Sequence, residues 1–188
     1  MNFFLGFDQR LFYYLNGGDL PFFNYLNFFL SFLGEGIVLF LIFVGWYLVS
    51  RKKIALLGIG SLAASGIITH ILKMVFSRPR PLAILAQVHT FGYSFKYGSF
   101  PSGHTATAFA AATILSFSYR KFAPLFYLFA FAIAYSRIYL GLHWPSDLVG
   151  GAVIGYSVSK LFLKLELRIN NKLAPSPPSS PLGERKRR

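Results

Sequence analysis

Three short clusters in this chain carry side chains able to do chemistry on an anion. In "KMVFSRPRP", Lys73 nears the end of an apolar run, while Pro79 and Pro81 stop the helix and pin Arg80 in an extended loop. Two cations aimed at one point suit an anion with several oxygens. In "PSGHTATAF", Ser102 reads as an N-cap and Gly103 opens the free N–H groups of the first turn to a ligand. A helix terminus of that kind attracts anions, and His104 is placed to give a proton to an oxygen leaving the bound group. In "SRIYLGLHWPSD", Arg137 is followed by His143, and Pro145 starts a helix whose first turn contains Asp147. A carboxylate four residues beyond a histidine can hold one ring nitrogen while the other faces a substrate, which makes the imidazole a nucleophile or a base.

Taken singly, each cluster has an ordinary alternative. Long basic side chains snorkel to headgroups, Ser-Gly caps helices, and a His-Trp pair before an acidic helix start is common at an interface. What sets them apart is convergence, because all three fall at the same ends of different apolar segments.

Those segments are the elements that must position the clusters. Residues 54–76, 103–119, 122–140 and 148–165 are long and apolar enough to cross a hydrocarbon core, and 36–50 is a shorter fifth run. The run from Pro21 to Leu33 is too short to cross alone and is expected to join 36–50 as one bent span, the break falling at Gly34-Glu35-Gly36. "FFLGFDQRLFYYLN" suits an interfacial helix, and no secretory signal is recognised. If the spans alternate, thirteen Lys and Arg fall on one side, among them Arg51-Lys52-Lys53, Arg120-Lys121 and the C-terminal set, against five on the side of the clusters. The positive-inside rule makes the first side cytoplasmic.

The composition agrees: 54% hydrophobic and 19% aromatic residues with 13% charged ones describe a membrane protein. A net charge of +13 invites a nucleic-acid reading, but the basic residues flank apolar segments and do not line an aromatic groove. With no cysteine there is neither a disulfide framework nor a thiolate nucleophile.

In order, the clusters spell K-x6-R-P, P-S-G-H and S-R-x5-H-x3-D, and in this they resemble the type 2 phosphatidic acid phosphatase (PAP2) superfamily, which also contains the vanadium haloperoxidases. The likeness runs from Lys73 to Asp147 without departure in any motif residue, and the surrounding spans extend it over the chain apart from the tail. It implies an all-α integral membrane bundle of five to six membrane helices. Residues 1–35 would form interfacial or re-entrant helices, 36–170 the catalytic domain, and 171–188 a disordered basic cytoplasmic tail.

The resemblance also implies roles. Lys73, Arg80 and Arg137 would bind phosphoryl oxygens, with Ser102 and the Gly103 backbone completing the cradle; His143 would attack phosphorus, Asp147 would orient it, and His104 would protonate the leaving oxygen. That scheme uses no metal and no cofactor, and Asp147 is the single acidic residue expected near the site. The implied protein is a lipid phosphatase of the bacterial inner membrane with its site facing the periplasm. Its substrate would be undecaprenyl pyrophosphate, phosphatidylglycerophosphate or lipid A 1-phosphate, and its partners that lipid and the bilayer, not nucleic acid. The alternatives are a vanadium-dependent haloperoxidase-like enzyme and a non-catalytic binder of lipid phosphate.

Weaker expectations attach to a few more residues. Arg78 is a candidate phosphate contact at the rim. His70 is expected to pack against a neighbouring helix or face the site, and His89 and Lys96 to be solvated or to touch a headgroup. The small-xxx-small pair Gly151 and Gly155 predicts close helix packing.

Overall fold

The computed structural model describes residues 2–18, 20–92 and 95–173, with backbone alone for 2–5 and 171–173. The expected tail is therefore placed only at its start, where 171–173 continue the last helix; 174–188 lie outside the described residues.

The elements in order are α1 (Asn2–Leu15), α2 (Pro21–Leu33), α3 (Gly36–Ser50), α4 (Lys53–Phe76), the one-turn α5 (Pro81–Ile84), α6 (Gly103–Ser118), a 3-10 turn (Arg120–Phe122), α7 (Ala123–Tyr139) and α8 (Pro145–Leu173). Prolines open several of them where the missing N–H costs nothing, as at Pro21, Pro81 and Pro145. α4 ends at Ser77 in the left-handed conformation (φ 39°), and Pro79 and Pro81 then keep the chain extended, as the sequence predicts. The α7–α8 turn needs Gly141, whose φ of +73° is left-handed and whose missing Cβ would lie 2.4 Å from the His89 carbonyl oxygen.

Among the described residues three stretches are long and apolar enough to cross a membrane: Lys53–Ile84, Arg120–Tyr139 and Pro145–Asn170, with mean hydropathies of 1.8, 1.3 and 1.4. α2 and α3 qualify only together, as a pair bent by 54°, the geometry of a broken span or of a re-entrant loop. α6, expected from the sequence as a span over 103–119, is not among these stretches. It has 16 residues, about 24 Å at helical rise, and Thr105 through Ile114 are buried without interruption. Its Ala and Thr content reflects neighbours that are protein and not lipid, since α4, α7 and α8 pack around it.

The tightest contact is between α6 and α8. A Cβ on Gly155 would lie 2.0 Å from the Ala106 carbonyl oxygen, and one on Gly151 would lie 2.5 Å from that of Ser102. These two glycines let the backbones touch, as their spacing predicts. One apolar cluster joins α1, α6, α7 and α8 through Phe12, Phe109, Ile133 and Leu148; another joins α3, α4, α6 and α8 through Phe43, Leu62, Ile114 and Leu163. His70 is neither packed nor turned to the site: it is an exposed residue on α4.

Candidate active site

Six of the eight residues singled out by sequence line one cavity of about 510 Å³ at one end of the bundle: Lys73, Arg80, Gly103, His104, Arg137 and His143. Ser102 and Asp147 are fully buried behind its wall. They come from the end of α4, the extended loop after it, the start of α6, the end of α7, the α7–α8 turn and the first turn of α8. One bond ties two of these parts together, the Ser102 N–H donating to the Asp147 carbonyl across 3.0 Å.

Asp147 sits at the centre of a dense set of donors. Its Oδ2 accepts from the Trp144 backbone N–H at 2.9 Å and from the Ser99 hydroxyl, and lies 3.3 Å from His143 Nδ1; its Oδ1 accepts from Arg78 Nη1 at 2.7 Å. A carboxylate so served stays ionised and orients the imidazole through Nδ1, leaving Nε2 for the cavity. Burial pushes the His143 imidazole well below its ordinary value of 6.5, with Asp147 opposing the shift, so the ring is neutral and keeps a nucleophilic lone pair.

The cations are held by carbonyls. Lys73 Nζ donates to Gly98 at 2.6 Å, Arg80 Nε to Tyr97 at 3.2 Å, and Arg80 Nη1 to Leu142 at 3.1 Å. Arg137 donates through Nη1 to the Ser31 hydroxyl, while its Nε is buried with no hydrogen-bond partner. A buried guanidinium N–H left over in a cavity wall is the kind of donor that an anion's oxygen satisfies. The Ser102 hydroxyl accepts from Thr105 Oγ1 at 3.0 Å and from the Thr105 N–H at 3.5 Å, which makes it the cap of α6 that presents the first-turn N–H groups.

Three expectations need correction. Arg78 does not reach the rim: it turns behind the site and bridges Asp147 and Asp8, its Nη2 lying 2.7 Å from Asp8 Oδ2. Asp147 is not alone, because Glu35 lines the cavity with its Oε2 2.7 Å from His104 Nε2, and buried Asp8 accepts from the Ser146 N–H at 3.0 Å. His89 belongs to the packing of the N-terminal helices, with Nε2 2.9 Å from Asn24 Oδ1. Lys96 is exposed as expected, although its carbonyl accepts from the Arg80 N–H at 2.9 Å. Glu35 had one visible signal, a charge between two glycines at a break in apolar sequence; Ser31 and Asp8 had none.

Fold and site together define a class: a multi-pass helical membrane protein with three cations and two histidine–carboxylate pairs gathered at one end. Residues 54–170 match the PAP2 superfamily, and the chain belongs to it. It is 32% identical over 115 residues to the undecaprenyl-diphosphatase BcrC of Bacillus subtilis, covering 61% of this chain and 58% of that one. It is 27% identical over 164 residues to an undecaprenyl-diphosphatase of Sulfolobus acidocaldarius, covering 86% of this chain and 80% of that one. The crystal structure of Aquifex aeolicus LpxE superposes with a TM-score of 0.76 at 33% identity, covering 83% of this chain and 94% of that chain. The match thus spans little more than half the length of the Bacillus relative.

Proposed function

We propose that this protein is a lipid phosphatase, hydrolysing a phosphate monoester or pyrophosphate headgroup at the periplasmic face of a bacterial inner membrane through a phosphohistidine. The observation that carries the reading is the meeting of a neutral His143, held through Nδ1 by Asp147, with Lys73, Arg80 and Arg137 in one cavity. Binding alone would need the cations; it would not need an oriented imidazole facing them.

In the first step His143 Nε2 attacks phosphorus while the bond to the lipid oxygen breaks, and His104 supplies the proton that this oxygen takes up. Lys73, Arg80, Arg137 and the N–H groups at the start of α6 stabilise charge on the three equatorial oxygens. In the second step water attacks phosphorus, its proton passes to His104, the P–N bond breaks and inorganic phosphate leaves. In this scheme Lys73, Arg80 and Arg137, which line the cavity together, take the charge-neutralising part.

Relatives named for undecaprenyl diphosphate support a pyrophosphorylated carrier as first candidate, with phosphatidylglycerophosphate and lipid A 1-phosphate beside it. The test is phosphate release by purified protein on a panel of these lipids, with and without chelator. Release from at least one, unaffected by chelator, is expected. Lipid binding without release would leave a non-catalytic binder, and loss of activity in chelator restored by magnesium would overturn the metal-independent scheme.

A further inference from the structure

Glu35 is the cavity residue that anion binding does not explain. A carboxylate beside Lys73, Arg80 and Arg137 offsets part of the field that draws a phosphate in, and repels the phosphate itself. Nor does it cap a helix. Glu35 stands at the N-cap position of α3, yet its side chain makes no capping bond; its carbonyl alone starts α3, accepting from the Leu39 N–H at 3.1 Å. The side chain instead reaches His104.

The elbow that carries it is fixed to the same helix as its partner. α2 ends at Leu33, α3 starts at Gly36, and between them the Gly34 carbonyl accepts from Thr107 Oγ1 at 3.0 Å. Thr107 lies one turn beyond His104 on α6, and its hydroxyl also lies within hydrogen-bond distance of the Gly103 and His104 carbonyls. The elbow therefore docks beside His104 through two bonds, one from the backbone of Gly34 and one from the side chain of Glu35.

The chemistry of the contact fixes a tautomer. An ionised carboxylate only accepts, so the proton of the 2.7 Å contact sits on His104 Nε2, and Nδ1 is the nitrogen left to exchange a proton within the cavity. His143 is presented the other way round, through Nε2, because Asp147 holds its Nδ1. Each imidazole is backed by its own carboxylate, from opposite ends of the chain.

We propose that Glu35 is a positioning residue for the proton donor: it holds the Nε2–H of His104, so that Nδ1 faces the leaving oxygen and the positive ring is supported until the proton is given. The inference rests on the reading of His104 as the proton donor under the proposed function. As the P–O bond to the lipid breaks, the Nδ1 proton passes to the lipid oxygen and the ring becomes neutral, still bonded to Glu35 through Nε2–H. When water attacks the phosphohistidine, its proton returns to Nδ1 as the P–N bond breaks, and the pair is restored.

The experiment compares two leaving groups, a lipid monophosphate that needs a proton and an activated aryl phosphate that does not. Glu35→Gln keeps the size of the side chain and removes its charge. It should lower kcat/KM on the lipid about 10- to 100-fold and leave kcat/KM on the aryl phosphate, which reports the first step alone, nearly unchanged. Glu35→Asp, which restores the charge, should recover part of the loss. In a His104→Ala background, Glu35→Gln should cost nothing further. Equal losses on both substrates would make Glu35 a merely structural residue, and a faster variant would make it an obstruction at the cavity mouth. A loss that adds to that of His104→Ala would uncouple the two side chains. Each of these results overturns the proposal while the phosphatase reading stands; a parent protein that releases phosphate from neither substrate overturns both.

Discussion

Arg78 Nη1 lies 2.7 Å from Asp147 Oδ1, the carboxylate oxygen that faces away from His143. The guanidinium stands behind the site, on the far side of the acid from the cavity, and its other nitrogen holds Asp8 of the first helix. A buried carboxylate is costly unless paired, so Arg78 joins the Trp144 N–H and the Ser99 hydroxyl in supporting an ionised Asp147 next to a buried ring. Arg78→Ala should lower kcat about 10- to 100-fold while KM for the phosphate substrate stays near that of the parent. A raised KM with kcat unchanged would return Arg78 to the rim as a phosphate contact. Asp8→Asn should give a smaller loss of the same kind.

His143→Ala should abolish turnover, and Asp147→Asn should lower it about 10²- to 10⁴-fold, as in other His–Asp pairs. Radiolabelled phosphate bound to the protein after rapid mixing and alkaline quench should be present in the parent and missing from His143→Ala. A His143→Ala variant retaining more than a few per cent of the rate would end the covalent scheme.

The lowered basicity of His143 sets the direction of a pH effect. Because the folded protein keeps this ring neutral below its ordinary value of 6.5, kcat/KM on an aryl phosphate should hold as the pH falls through 6.5. An acid limb centred there would mean that the nucleophile is solvated. Stability, unlike activity, changes over this range: the unfolded chain takes up a proton at His143 below 6.5 that the folded chain refuses, so the folded state should weaken as the pH drops past that value.

Sidedness is read from labelling. Thr90 is exposed in the loop before α6, near the cavity end, and Ser50 ends α3 beside Arg51-Lys52-Lys53. With no native cysteine, Thr90→Cys should react with a membrane-impermeant thiol reagent in cells with a permeabilised outer membrane, and Ser50→Cys only after the inner membrane is opened. The reverse pattern would move the chemistry to the cytoplasmic leaflet.

Gly155→Leu should destabilise the bundle by about 3 kcal/mol, since even its Cβ would overlap the Ala106 carbonyl. Gly45→Ala serves as the control, because a Cβ on Gly45 meets nothing within 4 Å. Thermal unfolding in detergent should separate the two; equal midpoints would show that α6 and α8 can part without penalty.

The legible features were those written locally. Pro79, Pro81 and Pro145 mark helix ends, Ser102 marks a cap, and the four-residue step from His143 to Asp147 stays within one turn, so spacing alone carried these groups to one end of the bundle. Glu35, Ser31 and Asp8 escaped because their partners His104, Arg137 and Arg78 are about 70 or more residues away, and no periodicity connects a polar residue to a distant one. Arg78 was misplaced for the same reason: a basic residue beside a motif arginine reads as another phosphate ligand until its two carboxylates are seen. The sequence of α6 reads as a span like the rest, whereas in the fold its Thr105 through Ile114 are buried among other helices.

Bilayers differ in thickness, and a multi-pass protein adapts by tilting the helices that touch lipid. α6 is shielded from that adjustment over most of its length, and α8 is clamped to it at Gly151 and Gly155, so the starts of these two helices, which hold His104 and Asp147, move as one piece. The tilt is left to α4 and α7, whose ends offer Lys73 and Arg137. The imidazole pair is the stiff part of the site and the cation cradle the compliant part. A change of membrane composition should therefore alter how tightly the headgroup is gripped before it alters how fast the phosphate is released.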